Sequence, residues 1–163
     1  LLGGPQAGLL FGRRDLVDAC RRHPLARALR LDKLRIAALQ ATLELHVSDR
    51  GDEVPVHRML ATDPETLRVR AAALVKRLVD AGLDAAVGTA AAVPGGGAAP
   101  DTFLEGPVVR VAVARPNTVA TDLRGGEPPI VVRVADDRLV IDLRTVDPAD
   151  DDLLAERLAP YAR

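Results

Sequence analysis

The chain has 163 residues, 48% hydrophobic and 28% charged, a balance that fits one ordinary globular domain, or a small domain plus a piece of another, and not a disordered chain. A net charge of −1 argues against a global basic field for nucleic acid, and 2% aromatics argue against a stacking platform for single-stranded bases. The single cysteine, Cys20, can form no internal disulfide, and no segment has the ~18 to 20 apolar residues of a membrane helix or the layout of a signal peptide.

In chain order, 7–12 (Ala-Gly-Leu-Leu-Phe-Gly) is a short apolar run between turn signals and predicts a buried strand. Residues 13–23 predict a helix, with Leu16, Val17 and Cys20 on one face and Pro24 ending it. A second helix is expected over 31–47. At ~100° per residue, Leu34, Ala38, Ala41 and Leu45 share one stripe, and Ile36, Leu39 and Leu43 the opposite one. Arg35, Thr42 and His46 lie between the stripes on one side. A helix with two apolar faces must be covered on both, as an interdomain helix would be. Residues 48–55 read as a loop and 56–61 as a short helix.

Thr62-Asp63-Pro64-Glu65 opens another helix, with Thr62 and Glu65 as a capping box and Pro64 in the first turn. Leu67, Ala71, Leu74, Val75 and Leu78 form its apolar face, and Gly82 its C-terminal cap. Strands follow at 83–93 and 108–114, separated by a Gly/Pro/Ala loop at 94–100. A short helix at 116–124 comes next, then β-rich runs at 130–135 and 139–143 joined at Asp136-Asp137, and a last helix at 151–161 behind an acidic cluster. From Thr62 onward the order is helix, strand, strand, helix, strand, strand, helix. That predicts a small α+β domain with helices packed on one face of a mostly antiparallel sheet.

Few residues stand out for chemistry. There is no Ser-His-Asp arrangement, no metal-spaced cluster and no phosphate loop with its lysine; Gly95-Gly96-Gly97 alone is a turn. His23, His46 and His57 are scattered and read as surface or helix-terminal residues, and Cys20 reads as a small apolar helix residue rather than a nucleophile. Arg27 and Arg30 sit three apart, so on a helical turn they share a face, with Arg21 and Arg22 nearby. Two guanidinium groups on one face can bind an oxyanion through paired, charge-assisted hydrogen bonds. Equally, they can be a solvated basic face paired with Asp32, and the residues alone favour that blander reading.

The run Leu1-Leu2-Gly3-Gly4-Pro5-Gln6-Ala7-Gly8 and the segment from His23-Pro24-Leu25-Ala26-Arg27 through Arg30-Leu31-Asp32-Lys33 resemble the bacterial L-seryl-tRNA(Sec) selenium transferases. That family carries a motif similar to Asp-Lys-Leu-Leu-Gly-Gly-Pro-Gln-Ala-Gly, whose lysine holds pyridoxal phosphate (PLP). Weaker matches are Pro94-Gly95-Gly96-Gly97 and Asp142-Leu143-Arg144-Thr145, with Ala98-Ala99 replacing a Ser-Leu and Asp137 replacing a turn glycine.

The resemblance implies a fold-type-I PLP-dependent transferase fragment, α/β and α+β in class. Residues 1–47 would be the C-terminal end of the PLP-binding large domain with its interdomain helix, and 48–163 the small α+β domain. It implies that the Schiff-base lysine stands immediately before Leu1, so that no catalytic residue lies within the chain. Arg27 and Arg30 would bind the substrate selenophosphate, and Lys33 is a different lysine from the cofactor's. The implied chemistry is β-replacement on Ser-tRNA(Sec), in which PLP acts as electron sink for loss of the α-proton and the hydroxyl, and selenium then adds to the dehydroalanyl group. The start, without Met and inside an apolar run, reads as that of a fragment, inactive by itself. A cytoplasmic homo-oligomer binding neither membrane nor DNA and holding no metal is expected. A related PLP-dependent lyase or ammonia-lyase is the alternative; a non-catalytic dimerisation module is a third.

Overall fold

The structure, a computed structural model, describes residues 1–94 and 101–162. The chain folds as two compact units, Leu1–Ala61 and Thr62–Arg163. The family resemblance implies a boundary after Val47, at the end of the interdomain helix. In the structure a 3-10 turn at Gly51–Glu53 packs on the helix before it and the helix after it, which groups 48–61 with the first compact unit.

The first unit holds four helices, α1 (Arg14–Arg22), α2 (Pro24–Leu29), α3 (Lys33–Val47) and α4 (Pro55–Ala61). The strand expected at 7–12 does not form. No described segment of this unit is a strand that could complete its ladder, and Leu10 and Phe11 stand 72% and 87% exposed. Pro24 ends α1 as expected but also begins α2, because its fixed φ and missing N–H suit the first helical position after the extended His23. The Asp32 carboxylate accepts from Arg35 N–H at 2.9 Å and caps α3. That backbone N–H holds the Asp32 carboxyl below the usual carboxylate range. The two apolar stripes of α3 are present, yet among its residues only Leu39 is buried.

The second unit follows the predicted order: α5 (Pro64–Asp80), β1 (Asp84–Ala92), β2 (Leu104–Ala112), α6 (Pro116–Arg124), β3 (Arg133–Ala135), β4 (Arg138–Ile141) and α7 (Asp151–Leu158). The sheet is antiparallel throughout, in the order β1-β2-β4-β3. Register aligns Val87, Val109 and Ile141 across three strands, and Val111, Leu139 and Val134 one step along. These valines and leucines meet Leu67, Leu74 and Leu78 of α5, Leu123 of α6, and Leu154 and Leu158 of α7 in one core. Val108 and Val140 alternate to the other face and are still buried. There the Arg110 side chain lies over Gly88, where a Cβ would come within 2.9 Å of its Cδ, and Arg144 lies over Gly106.

Local chemistry explains the boundaries. Asp63, not Thr62, is the N-cap of α5: its carboxylate accepts from Thr66 N–H at 2.9 Å, because Pro64 occupies the first helical position. The helix ends as predicted at Gly82, whose φ is +90°. Gly82 N–H donates to Val79 and Leu83 N–H to Leu78, each at 2.9 Å, the paired bonds of a Schellman ending. β3 is shorter than expected because Ile130 N–H donates to the Leu123 carbonyl at 2.9 Å. Asp136 and Asp137 both take left-handed φ, 51° and 53°, as a two-residue type I′ hairpin requires. Asp137→Gly is therefore expected to stabilise this unit by up to about 1 kcal/mol in urea unfolding, since glycine adopts that conformation without a steric penalty.

Candidate functional site

Residues 1–4 are seated on α3 and α4. His46, on α3, donates from Nε2 to the Leu2 carbonyl at 2.9 Å, and His57, on α4, donates from Nε2 to the Leu1 carbonyl at 2.8 Å. A carbonyl can only accept, so both rings carry their proton on Nε2. The rings meet edge to face, with centroids 4.7 Å apart and planes at 71°. Just after these two carbonyls the backbone runs too close to its neighbours for side chains. Gly3 takes φ +79°, and a Cβ there would come within 2.6 Å of Val56 and closer still to Val54. A Cβ on Gly4 would sit 2.6 Å from the Thr42 hydroxyl, itself fixed by donating to the Ala38 carbonyl at 2.9 Å. The glycine pair is the part of this arrangement that a sequence displays. The histidines, 44 and 56 positions from their acceptors, carry no local signal.

α2 presents Arg27, and Arg30 follows one residue past its end in extended conformation. The helical face expected to carry both arginines thus stops between them. Both are exposed, and no acidic side chain among the described residues pairs with either. Asp32, the partner in the blander reading, is occupied by Arg35 at 3.5 Å and by the α3 cap. His23 serves α2 as N-cap, its Nδ1 accepting from Leu25 N–H at 3.2 Å. Lys33 is exposed at the first position of α3, and Cys20, read as an apolar face residue, is exposed on α1.

In the second unit, Asp142 accepts from Arg144 N–H at 3.0 Å and from its guanidinium at 3.2 Å, and the buried Arg144 covers Gly106. This motif therefore builds the end of the sheet. Beside it a cleft of about 570 Å³ is lined by Val131, Val132, Ile141, Asp142, Thr145 and Leu154. The Gly95-Gly96-Gly97 motif lies outside the described residues. Among the described residues no group of three His, Cys, Asp or Glu is placed to hold a metal, and no helix is long and apolar enough to cross a membrane.

The sequence profile of the L-seryl-tRNA selenium transferases matches residues 1–147, nine tenths of the chain. The chain belongs to that family. It is 43% identical over 151 residues to the L-seryl-tRNA(Sec) selenium transferase of Aquifex aeolicus, covering 90% of this chain and 33% of that protein. It is 43% identical over 165 residues to that of Moorella thermoacetica, covering 97% and 35%, and 40% identical over 155 residues to that of Hyphomonas neptunium, covering 92% and 34%. The chain thus spans about a third of the length of the curated selenium transferases it matches. Both specific motifs, residues 1–8 and 23–33, fall inside the matched segment.

Proposed function

We propose that this chain is the C-terminal third of a PLP-dependent L-seryl-tRNA(Sec) selenium transferase. The full-length protein converts Ser-tRNA(Sec) to selenocysteinyl-tRNA(Sec) with selenophosphate as donor, as a cytoplasmic homo-oligomer of the fold-type-I class. The observation that carries this reading is the state of Arg27 and Arg30 in a chain of this family. Both guanidinium groups are exposed, Arg27 on α2 and Arg30 just past its end, with no acidic partner among the described residues. Planar, permanently charged donors left open in this way suit a tetrahedral oxyanion. Their role is to hold the selenium donor's phosphate.

The residues that this chain contributes fit PLP as a flank rather than as a cradle. A lysine immediately before Leu1 would lead into a segment held by two carbonyl hydrogen bonds and by glycines whose Cβ positions are already filled. Lys33 and Lys76 are exposed on helices, and Lys76 pairs with Asp80 at 3.8 Å. When bound, PLP supplies the electron sink that makes the serine Cβ open to replacement. The tRNA ester masks the serine carboxylate, so Arg27 and Arg30 are free to serve the donor.

The test is to incubate the purified full-length protein with Ser-tRNA(Sec) and selenophosphate. Selenocysteinyl-tRNA is expected, at a yield limited by tRNA. Ammonia release from a free amino acid, with no selenium on tRNA, would replace this reading with that of a lyase.

A further inference from the structure

We propose that His46 and His57 are positioning residues for the cofactor lysine. This rests on the reading above, in which that lysine immediately precedes Leu1. Each histidine donates a hydrogen bond to the carbonyl of one of the first two residues, at 2.9 and 2.8 Å, and the two rings brace each other edge to face. Gly3 and Gly4 let the backbone lie against Val54, Val56 and Thr42, where any side chain would collide. The peptide that follows the lysine is therefore fixed at two successive carbonyls. Neighbouring residues along a chain are about 3.8 Å apart, so fixing Leu1 confines the residue before it to a small arc. A lysine must deliver its Nζ to the PLP carbonyl carbon within a few tenths of an ångström, and a misplacement of about 1 Å can cost about a hundredfold in rate. The clamp removes that freedom by holding the backbone that follows the lysine.

Two substitutions at each position separate the hydrogen bond from the ring. Phe keeps the ring volume and loses the N–H donor; Gln loses the ring and keeps an N–H donor at a similar reach. The full-length protein, prepared free of cofactor, is mixed with PLP. Covalent attachment is followed by absorbance and by the fraction trapped with borohydride, and folding is checked by thermal melting. His46→Phe and His57→Phe are each expected to slow attachment about three- to tenfold, and the double variant about ten- to hundredfold, at an unchanged melting temperature. The Gln variants are expected to stay within about threefold of wild type. Folded Phe variants that attach PLP at the wild-type rate overturn the proposal, as do Phe and Gln variants slowed alike, which would assign the effect to the ring. A wild-type protein that takes up no PLP overturns the cofactor reading, and this role with it; that failure is recognised because it needs no substitution.

Discussion

Replacing Arg27 or Arg30 with alanine in the full-length protein is expected to lower selenium transfer about ten- to hundredfold for each arginine. A hydrogen bond to a charged group is worth roughly 1.5 to 3 kcal/mol, and each 1.36 kcal/mol is tenfold in rate. Both arginines are open to such bonds because neither guanidinium spends its charge within the described chain: Asp32, the acid nearest in sequence, is held by Arg35 and by the α3 cap. Lysine at either position is expected to rescue only partly, because a point charge does not reproduce a planar fork. PLP uptake and Ser-tRNA binding should persist. Turnover measured across selenophosphate concentrations is the check. An exposed ion pair is worth about 0 to 1 kcal/mol, so variants within about twofold of wild type, with unchanged donor dependence, would return both arginines to the solvated-face reading.

The second large effect falls on stability. Arg70 of α5 makes four hydrogen bonds with one guanidinium. Its Nε and Nη2 donate to the two Asp151 oxygens at 3.0 and 2.7 Å, Nη1 donates to the Leu143 carbonyl at 3.1 Å, and Nη2 also donates to the Val146 carbonyl at 3.0 Å. It thereby ties α5 to the start of α7 and to the turn that follows β4. The side chains of the pair are 15% and 21% exposed. Breaking a fully buried pair costs about 3 to 5 kcal/mol; partial exposure brings the expected cost of Arg70→Ala to about 2 to 4 kcal/mol, part of it from the two stranded carbonyls. Hydrogen exchange at the Val109 and Val111 amides in the core should accelerate between about thirtyfold and a thousandfold. Lys76→Ala is the control: its pair with Asp80 is 82% and 67% exposed, and exchange should stay nearly unchanged. Equal effects of the two substitutions would show that the Arg70 network does not hold this unit together.

Much of the second unit is legible in the sequence because its signals are local. Pro116 and Gly125 bracket α6 at the predicted residues, and Gly82 ends α5 through its left-handed φ. The two-residue period of Val109, Val111 and their register partners marks the sheet face. The departures also have local causes. Composition at 7–12 resembles a strand, but a strand needs a partner, and the first unit has none among the described residues. Thr62 and Glu65 have the spacing of a capping box, while the proline fixes Asp63, one residue later, as the cap. Of the candidate site, Arg27 and Arg30 emerge from family resemblance, since spacing alone favours a solvated face. The histidine clamp is not legible at all. Three scattered histidines have no periodicity, and only the fold brings two of them to the same four residues.

Borohydride mapping of the full-length protein after PLP loading shows which lysine, if any, takes the cofactor. PLP-loaded protein is reduced with borohydride, digested and sequenced by mass spectrometry. Stoichiometric pyridoxyl label is expected on a single lysine, directly followed in the peptide by Leu1-Leu2-Gly3-Gly4. Stoichiometric label at Lys33 or at Lys76, or no selective label anywhere, would contradict this assignment of the lysine.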